Sequence, residues 1–348
     1  MIDLQDYGYM PTGNDDENIA RVTAVFKERY GIACQQGESF ARLKSAVYYS
    51  GKSEMSFPTV GDFVRIQYNS EGDRLIAETL ERKSFFSRLN PTPGMGEQAV
   101  AANFDYVFIL TSLNYDFNEK RLQRYLTLAW QSGALPVVVL TKSDLTGDYA
   151  VQQRLAEAVA PGVGVFAVSA RTGAGLEQLT PYLGRGKTIV FLGSSGVGKS
   201  SLLNALAGEG LMKVGEIRED DSRGRHTTTH RQLYRLNGGA MVIDTPGMRS
   251  VGMWDVTQGL SEAFTDVEDY LGRCRFSDCT HGGEPGCAVQ EAIIAGELSR
   301  ERWEAYLQLK REARYSDDKG GYLREKQQWH KTISKWNKQR RKTENRRD

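Results

Sequence analysis

Apolar positions change their rhythm near residue 90. Between residues 18 and 82 they alternate with polar ones over a few residues at a time, and stretches 20–26, 40–43, 46–49, 63–68 and 75–80 read as strands. Turns fall at Arg29-Tyr30-Gly31, at 58–62 and at 69–73. About five short strands in so short a span predict a small closed β-barrel, an OB-fold, over 18–90. Ahead of it, residues 1–17 are polar and acidic, with Pro11, Gly13 and Asn14, which predicts a flexible N-terminus.

After the breaker run Pro91-Thr92-Pro93-Gly94 the strands become continuously apolar and alternate with amphipathic stretches. Strands are predicted at 106–110, 135–140, 163–168 and 188–192, and helices at 118–132, 151–159 and 176–183. The first helix places Leu122, Tyr125, Leu126, Ala129 and Trp130 on its buried side. Residues 232–236 and 240–243 pair around Asn237-Gly238-Gly239. This is the pattern of a largely parallel sheet covered on both faces, an α/β domain over 91–255. Beyond it, 260–271, 289–298, 302–315 and 322–338 read as helices of a mostly α domain over 256–348. In the last of them Trp329, Ile333 and Trp336 form a stripe that suits internal packing or base stacking.

The net charge of +1 hides an asymmetry: residues 319–348 hold eleven Lys/Arg against three Asp/Glu, leaving the rest of the chain mildly acidic. A basic tail suggests a polyanion such as RNA, although a solvated helix carries the same charges. No apolar run is long enough to span a membrane and the first residues lack a signal-peptide pattern, so a cytoplasmic protein without a membrane partner is expected, a monomer by default. Of four cysteines, Cys34 is isolated and expected to be a small buried apolar group, whereas the other three are clustered.

The strongest chemical signal is Gly193-Ser194-Ser195-Gly196-Val197-Gly198-Lys199-Ser200, between an apolar strand and a helix that opens with Ser201-Leu202-Leu203. Its GxxxxGKS spacing is that of a phosphate-binding loop. Glycines let successive N–H groups converge on phosphate oxygens, and the helix adds the positive end of its dipole. Lys199 faces the β- and γ-phosphates, and the Ser200 hydroxyl is a Mg²⁺ ligand.

Four further stretches sit at strand ends or in loops. In Thr141-Lys142-Ser143-Asp144 the carboxylate can accept from two guanine N–H groups that adenine lacks, while the Lys142 stem lies along the base. Ser169-Ala170 offers a backbone N–H to guanine O6. Asp244-Thr245-Pro246-Gly247 provides a carboxylate for a Mg²⁺-bound water and an N–H, that of Gly247, for the γ-phosphate. In the stretch 223–229 a threonine, Thr227 or Thr228, can reach Mg²⁺ when the γ-phosphate is present, which defines a switch. Together these are the five elements of a GTPase that takes GTP and GDP. Their order is permuted, because the base-reading pair precedes the phosphate loop.

Cys274, Cys279, His281 and Cys287 form a Cys₃His set with glycine-rich spacing, a closed structural zinc site. With these residues in place the chain resembles the circularly permuted, ribosome small-subunit-dependent GTPases of the RsgA type, over nearly its whole length. The resemblance implies GTP hydrolysis stimulated by the 30S subunit and its 16S rRNA, late in maturation of that particle. Thr141 stands where most GTPases have asparagine, which leaves the bracing of the loop open. Met248 occupies the place of a water-orienting glutamine, so intrinsic hydrolysis is expected to be slow. His226, beside the switch threonines, is the local substitute, similar to the histidine proposed for the family; packing on a partner is the other reading. From the residues alone, a GTPase with a protein partner and an RNA-binding module with a structural nucleotide also stand.

Overall fold

The computed structural model describes residues 1–11, 18–26, 29–44, 57–69, 72–89, 97–114, 117–208, 231–244 and 257–317. The chain forms two compact units, 1–252 and 253–348. His226, Thr227, Thr228, Gly247, Met248, the strand expected at 46–49, and the helix and basic tail beyond 317 lie outside the described residues.

In the first unit, β1 (Ile19–Val25), β2 (Tyr30–Cys34), β3 (Gly37–Leu43), β4 (Phe63–Gln67) and β5 (Arg74–Thr79) close into a barrel in the order β1-β2-β3-β5-β4-β1. Period-two burial explains it: Ala20, Val22, Ile32, Cys34, Val64, Ile66 and Ile76 point inward and are buried together. Each large aliphatic among them adds about 1.5–3 kcal/mol of hydrophobic stabilisation. A turn is expected at Arg29-Tyr30-Gly31, yet the chain already runs as β2 from Tyr30, because Tyr30–Cys34 pairs with both β1 and β3.

The breaker-rich segment near residue 90 connects two strands that pair antiparallel, β6 (Phe85–Leu89) and β7 (Glu97–Ala102). Phe86 stacks on Phe104 with ring centroids 5.0 Å apart and is buried. Then follow β8 (Tyr106–Ser112), α1 (Glu119–Gln131), β9 (Leu135–Thr141), α2 (Ala150–Val159), β10 (Val165–Ala167), β11 (Thr188–Gly193), α3 (Lys199–Ala207), β12 (Arg231–Arg235) and β13 (Met241–Asp244). Helix α1 starts at Asn118, whose side chain accepts from Arg121 N at 2.9 Å, the N-cap bond that its sequence position suggests. Stretch 176–183 is not an α-helix but a 3₁₀ helix, Leu176–Tyr182, with Pro181 inside it. The ring has no N–H to give an α-helical bond.

Strands β10, β9, β8, β11 and β13 lie side by side and parallel, with β12 antiparallel at the end of the row. The core between this sheet and its helices holds Phe108, Val137, Ile189, Phe191, Leu202, Leu203 and Val242. The barrel and this sheet are one hydrogen-bonded surface. The first half of β1 closes the barrel against β4, while Ala24 and Val25 pair with Gln232 and Arg231 of β12.

Within the stretch expected to be flexible, residues 3–8 form a packed turn. Leu4–Tyr7 is a 3₁₀ turn capped by Asp3 and Gly8, with Leu4 and Tyr7 buried. Asp6 pairs with Arg185 and, at 2.9 Å, with Arg235. The acidic residues that suggest solvation serve here as partners for cations brought in from far along the chain.

In the second unit, α4 (Thr257–Ala263) and α5 (Thr265–Glu268) replace the single helix expected at 260–271, the break falling at Phe264. There the Arg302 guanidinium lies over the Phe264 ring at 3.9 Å and donates to the Ala263 carbonyl at 2.6 Å, taking up a helix-end acceptor. Helices α6 (Ala288–Ala295) and α7 (Arg300–Asp317) complete this unit as described.

Candidate nucleotide site and metal cluster

Because β9, β10, β11 and β13 are parallel, their C-terminal ends share one edge of the sheet. Thr141 ends β9, Ser169 and Ala170 follow β10, Gly193 ends β11, and Asp244 ends β13. Topology therefore brings four stretches, spread over a hundred residues, to one place, the edge at which parallel α/β sheets bind ligands.

Within the loop, Gly193 is required by close approach: a Cβ there would come within 2.6 Å of the Leu110 carbonyl on the neighbouring β8. Gly196 and Gly198 have φ of 76° and 103°, conformations that side chains resist. Lys199 Nζ donates to the carbonyls of Gly193 and Ser194 at 2.7 and 2.6 Å, so the ammonium is held across the loop's mouth. Ser200 and Ser201 lie in the first turn of α3, half-buried. Ser195 and Val197 complete the turn, Val197 packing into the core.

Thr141 is tied directly to the loop. Its buried hydroxyl donates to the Val197 carbonyl at 2.6 Å, joining stretch 141–144 to the 193–200 loop. Next to it, Lys142 has φ of 60°, a left-handed conformation uncommon outside glycine. Asp144 is exposed, and its Oδ1 accepts from Ser169 Oγ at 2.7 Å. Ser169 Oγ also accepts from Thr172 N at 3.1 Å, so the two stretches assigned to guanine hold each other. Asp244 is half-buried in register with Gln232. Burial first, and then the Asp244 carboxylate, raise the Tyr234 phenol above its ordinary 10.

The second unit gathers the Cys₃His set. Ligand atoms of Cys274, Cys279, His281 and Cys287 all lie within 4.8 Å of one another. Cys274 Sγ and Cys287 Sγ stand 3.4 and 3.5 Å from His281 Nδ1. Three sulfurs and one imidazole nitrogen at such spacing fit a tetrahedral zinc ion. Glu284, which no motif marks, sits inside this loop. Its carboxylate accepts from Thr280 and from Gly282 N, and the Thr280 hydroxyl first, then backbone amides, hold its pKa at about 2.

A model of the RsgA GTPase family matches residues 79–254. The chain belongs to the RsgA GTPase family. A family member of Listeria monocytogenes serovar 1/2a, small ribosomal subunit biogenesis GTPase RsgA 1, is 50% identical over 295 residues, 85% of this chain and 83% of the relative. Its counterpart in Listeria innocua serovar 6a is 45% identical over 340 residues, covering 95% and 96% of the two chains. Among solved structures, YjeQ from Thermotoga maritima aligns with a TM-score of 0.63 at 27% identity, over 84% of this chain and 96% of that one. YloQ, described as a circularly permuted GTPase, aligns with a TM-score of 0.57 at 26% identity, over 83% and 92%. As an RsgA GTPase the protein is a guanine-nucleotide hydrolase, and it is similar in fold to a circularly permuted GTPase.

Proposed function

We propose that the protein hydrolyses GTP on the small (30S) ribosomal subunit during late maturation of that particle, contacting its 16S rRNA, and that hydrolysis is stimulated by the subunit and coupled to release. The observation that carries this reading is the convergence of the phosphate loop, the Asp144–Ser169 pair and Asp244 on one sheet edge, in a chain whose relatives are named small ribosomal subunit biogenesis GTPases.

In this reading Asp144 and Lys142 select guanine, with Ser143, Ser169 and Ala170 shaping the base pocket and Thr141 bracing it. Residues Gly193 to Ser201 cradle the phosphates, and Lys199 offsets the charge that develops on them. Mg²⁺ is held by Ser200, by Asp244 through a water, and by Thr228 of the switch beside Thr227; Gly247 N–H meets the γ-phosphate. His226 orients the attacking water in place of a glutamine. Cys274, Cys279, His281 and Cys287 hold one structural zinc. The protein works in the cytoplasm as a monomer.

GTP turnover with and without purified 30S subunits tests the proposal. Slow intrinsic turnover that rises at least tenfold on adding subunits is expected; a flat response removes the ribosomal role and leaves the GTPase. In the same assay His226→Ala loses the stimulated rate, and full stimulated turnover by that variant takes His226 out of catalysis.

A further inference from the structure

We propose that Glu284 is a positioning residue for the metal: its carboxylate fastens the loop on both sides of His281 and so aims the imidazole at the three sulfurs. This rests on the zinc reading of the Cys₃His cluster, and it concerns a residue that is not itself among the ligands.

The difficulty it answers is local. His281 has φ of 60°, a conformation that non-glycine residues seldom adopt, in a loop whose next two residues are glycines. Left to itself such a segment samples many backbone states, and a ligand on it would be ordered only by the metal. Instead the Glu284 carboxylate spans the histidine. One oxygen, Oε1, accepts from Thr280 N at 3.1 Å and from the Thr280 hydroxyl; the other, Oε2, accepts from Gly282 N at 2.8 Å. The amides on either side of His281 thus converge on one anion, as they do only when the intervening backbone is folded back on itself.

Two further contacts complete the placement. Gln290 Nε2, from α6, donates to the His281 carbonyl at 2.8 Å. The Trp303 ring, from α7, meets the imidazole edge-on with centroids 5.6 Å apart. Backbone, carbonyl and ring of one ligand are each held from a different element, and Nδ1 ends up 3.4 and 3.5 Å from two sulfurs. Outer partners of metal ligands commonly alter affinity by 10–100-fold. Glu284 differs from the usual case, because it acts on the ligand's backbone and leaves the ring alone.

Its charge works in the opposite direction. Oε2 lies 3.7 Å from Cys279 Sγ, and a carboxylate beside a thiolate disfavours the metal-bound form. The two effects predict opposite outcomes for Glu284→Gln. If positioning dominates, the variant binds metal more weakly, since an amide cannot accept from both flanking segments; if repulsion dominates, it binds more tightly.

The test is competition for Zn²⁺ between the full-length protein and a chromophoric chelator, with Co²⁺ absorption as an independent reading of the ligand set. Glu284→Gln is expected to lower zinc affinity at least tenfold while the Co²⁺ spectrum keeps the bands of a tetrahedral three-sulfur site. Thr280→Val, which removes one donor to the carboxylate, is expected to show a smaller loss, and the double variant no more than Glu284→Gln alone, because both act through one contact. Equal or tighter zinc binding by Glu284→Gln, or additive losses in the double variant, overturns the role given to Glu284. Should Glu284→Gln prove misfolded, the Thr280→Val comparison decides by itself, an affinity equal to wild type counting against the proposal. Wild type that takes up neither metal overturns the zinc reading instead, a result distinct from wild type and variant binding zinc equally.

Discussion

At the scale of single residues, two buried polar contacts matter most. The Thr141 hydroxyl ties stretch 141–144, for which we propose base reading, to Val197 of the 193–200 loop at 2.6 Å. Without it a buried carbonyl loses its donor, a penalty of about 1–3 kcal/mol. Thr141→Ala should therefore weaken guanine-nucleotide binding by roughly five- to a hundredfold, while Thr141→Ser keeps most of it. Titration with a fluorescent GDP decides, and wild-type affinity in the alanine variant would show the brace to be idle. The second contact is Asp62, fully buried, whose two oxygens take Arg82 Nε and Nη2 at 2.8 and 2.7 Å and which also accepts from Thr59 N at 2.7 Å. Burial nonetheless raises the Asp62 pKa, so the pair is held together against a desolvation cost. Arg82→Ala leaves that carboxylate without its bidentate partner and should destabilise the first unit by about 3–5 kcal/mol. Adding Asp62→Asn recovers part of the loss, measurable by urea unfolding.

Among the elements, the N-terminal 3₁₀ turn and strand β1 do what no local pattern announces. Asp6 joins the turn to Arg185, just before β11, and to Arg235 at the end of β12. The Arg21 guanidinium, fully buried on β1, donates to the Tyr7 carbonyl and, at 2.8 Å, to the Asn103 carbonyl, so turn, barrel and the segment between β7 and β8 meet at one side chain. Hydrogen bonding from Arg185 first, and both arginine charges, hold the Asp6 carboxyl below its ordinary 3.8. A depressed carboxyl pKa stabilises the fold above the unfolded value and ceases to do so as pH falls through the folded one. The stability difference between wild type and Asp6→Asn should accordingly be constant from pH 7 down to about 4 and shrink below 3.8. A gap that stays the same from pH 7 to about pH 2 would show that the carboxylate charge contributes nothing to stability.

For the molecule as a whole, the two compact units should respond separately to metal. Structural zinc contributes folding free energy directly, because the unfolded chain offers no formed site. Treatment with a strong chelator is expected to strip hydrogen-exchange protection from residues 274–298 while the phosphate loop and α3 keep theirs, and guanine-nucleotide affinity stays within about twofold, a change of under 0.5 kcal/mol. Equal loss of protection in both units would make the metal a requirement of the entire fold.

The amino-acid sequence by itself determined whatever is encoded within a short span. Loop 193–200 announces itself because glycines, lysine and serine must follow one another to surround a phosphate, and the Cys₃His ligands are legible because one loop of fourteen residues, 274–287, supplies all four. Helix α1 reads correctly in its bounds from Asn118 to Ser132 since its cap is local too, but its buried face holds Gln123, Thr127 and Leu128 beside Leu122, Leu126 and Ala129, while Tyr125 and Trp130 are only half-buried. Only the tertiary structure decided that β1 serves two sheets, that acidic residues 3 and 6 belong to a packed turn, that Thr141 reaches Val197, and that Glu284 clasps the histidine loop. Pairings between distant edges leave no period in the sequence, because a strand's partner is chosen by packing and register, and a charged side chain looks solvated until the fold brings its counter-ion.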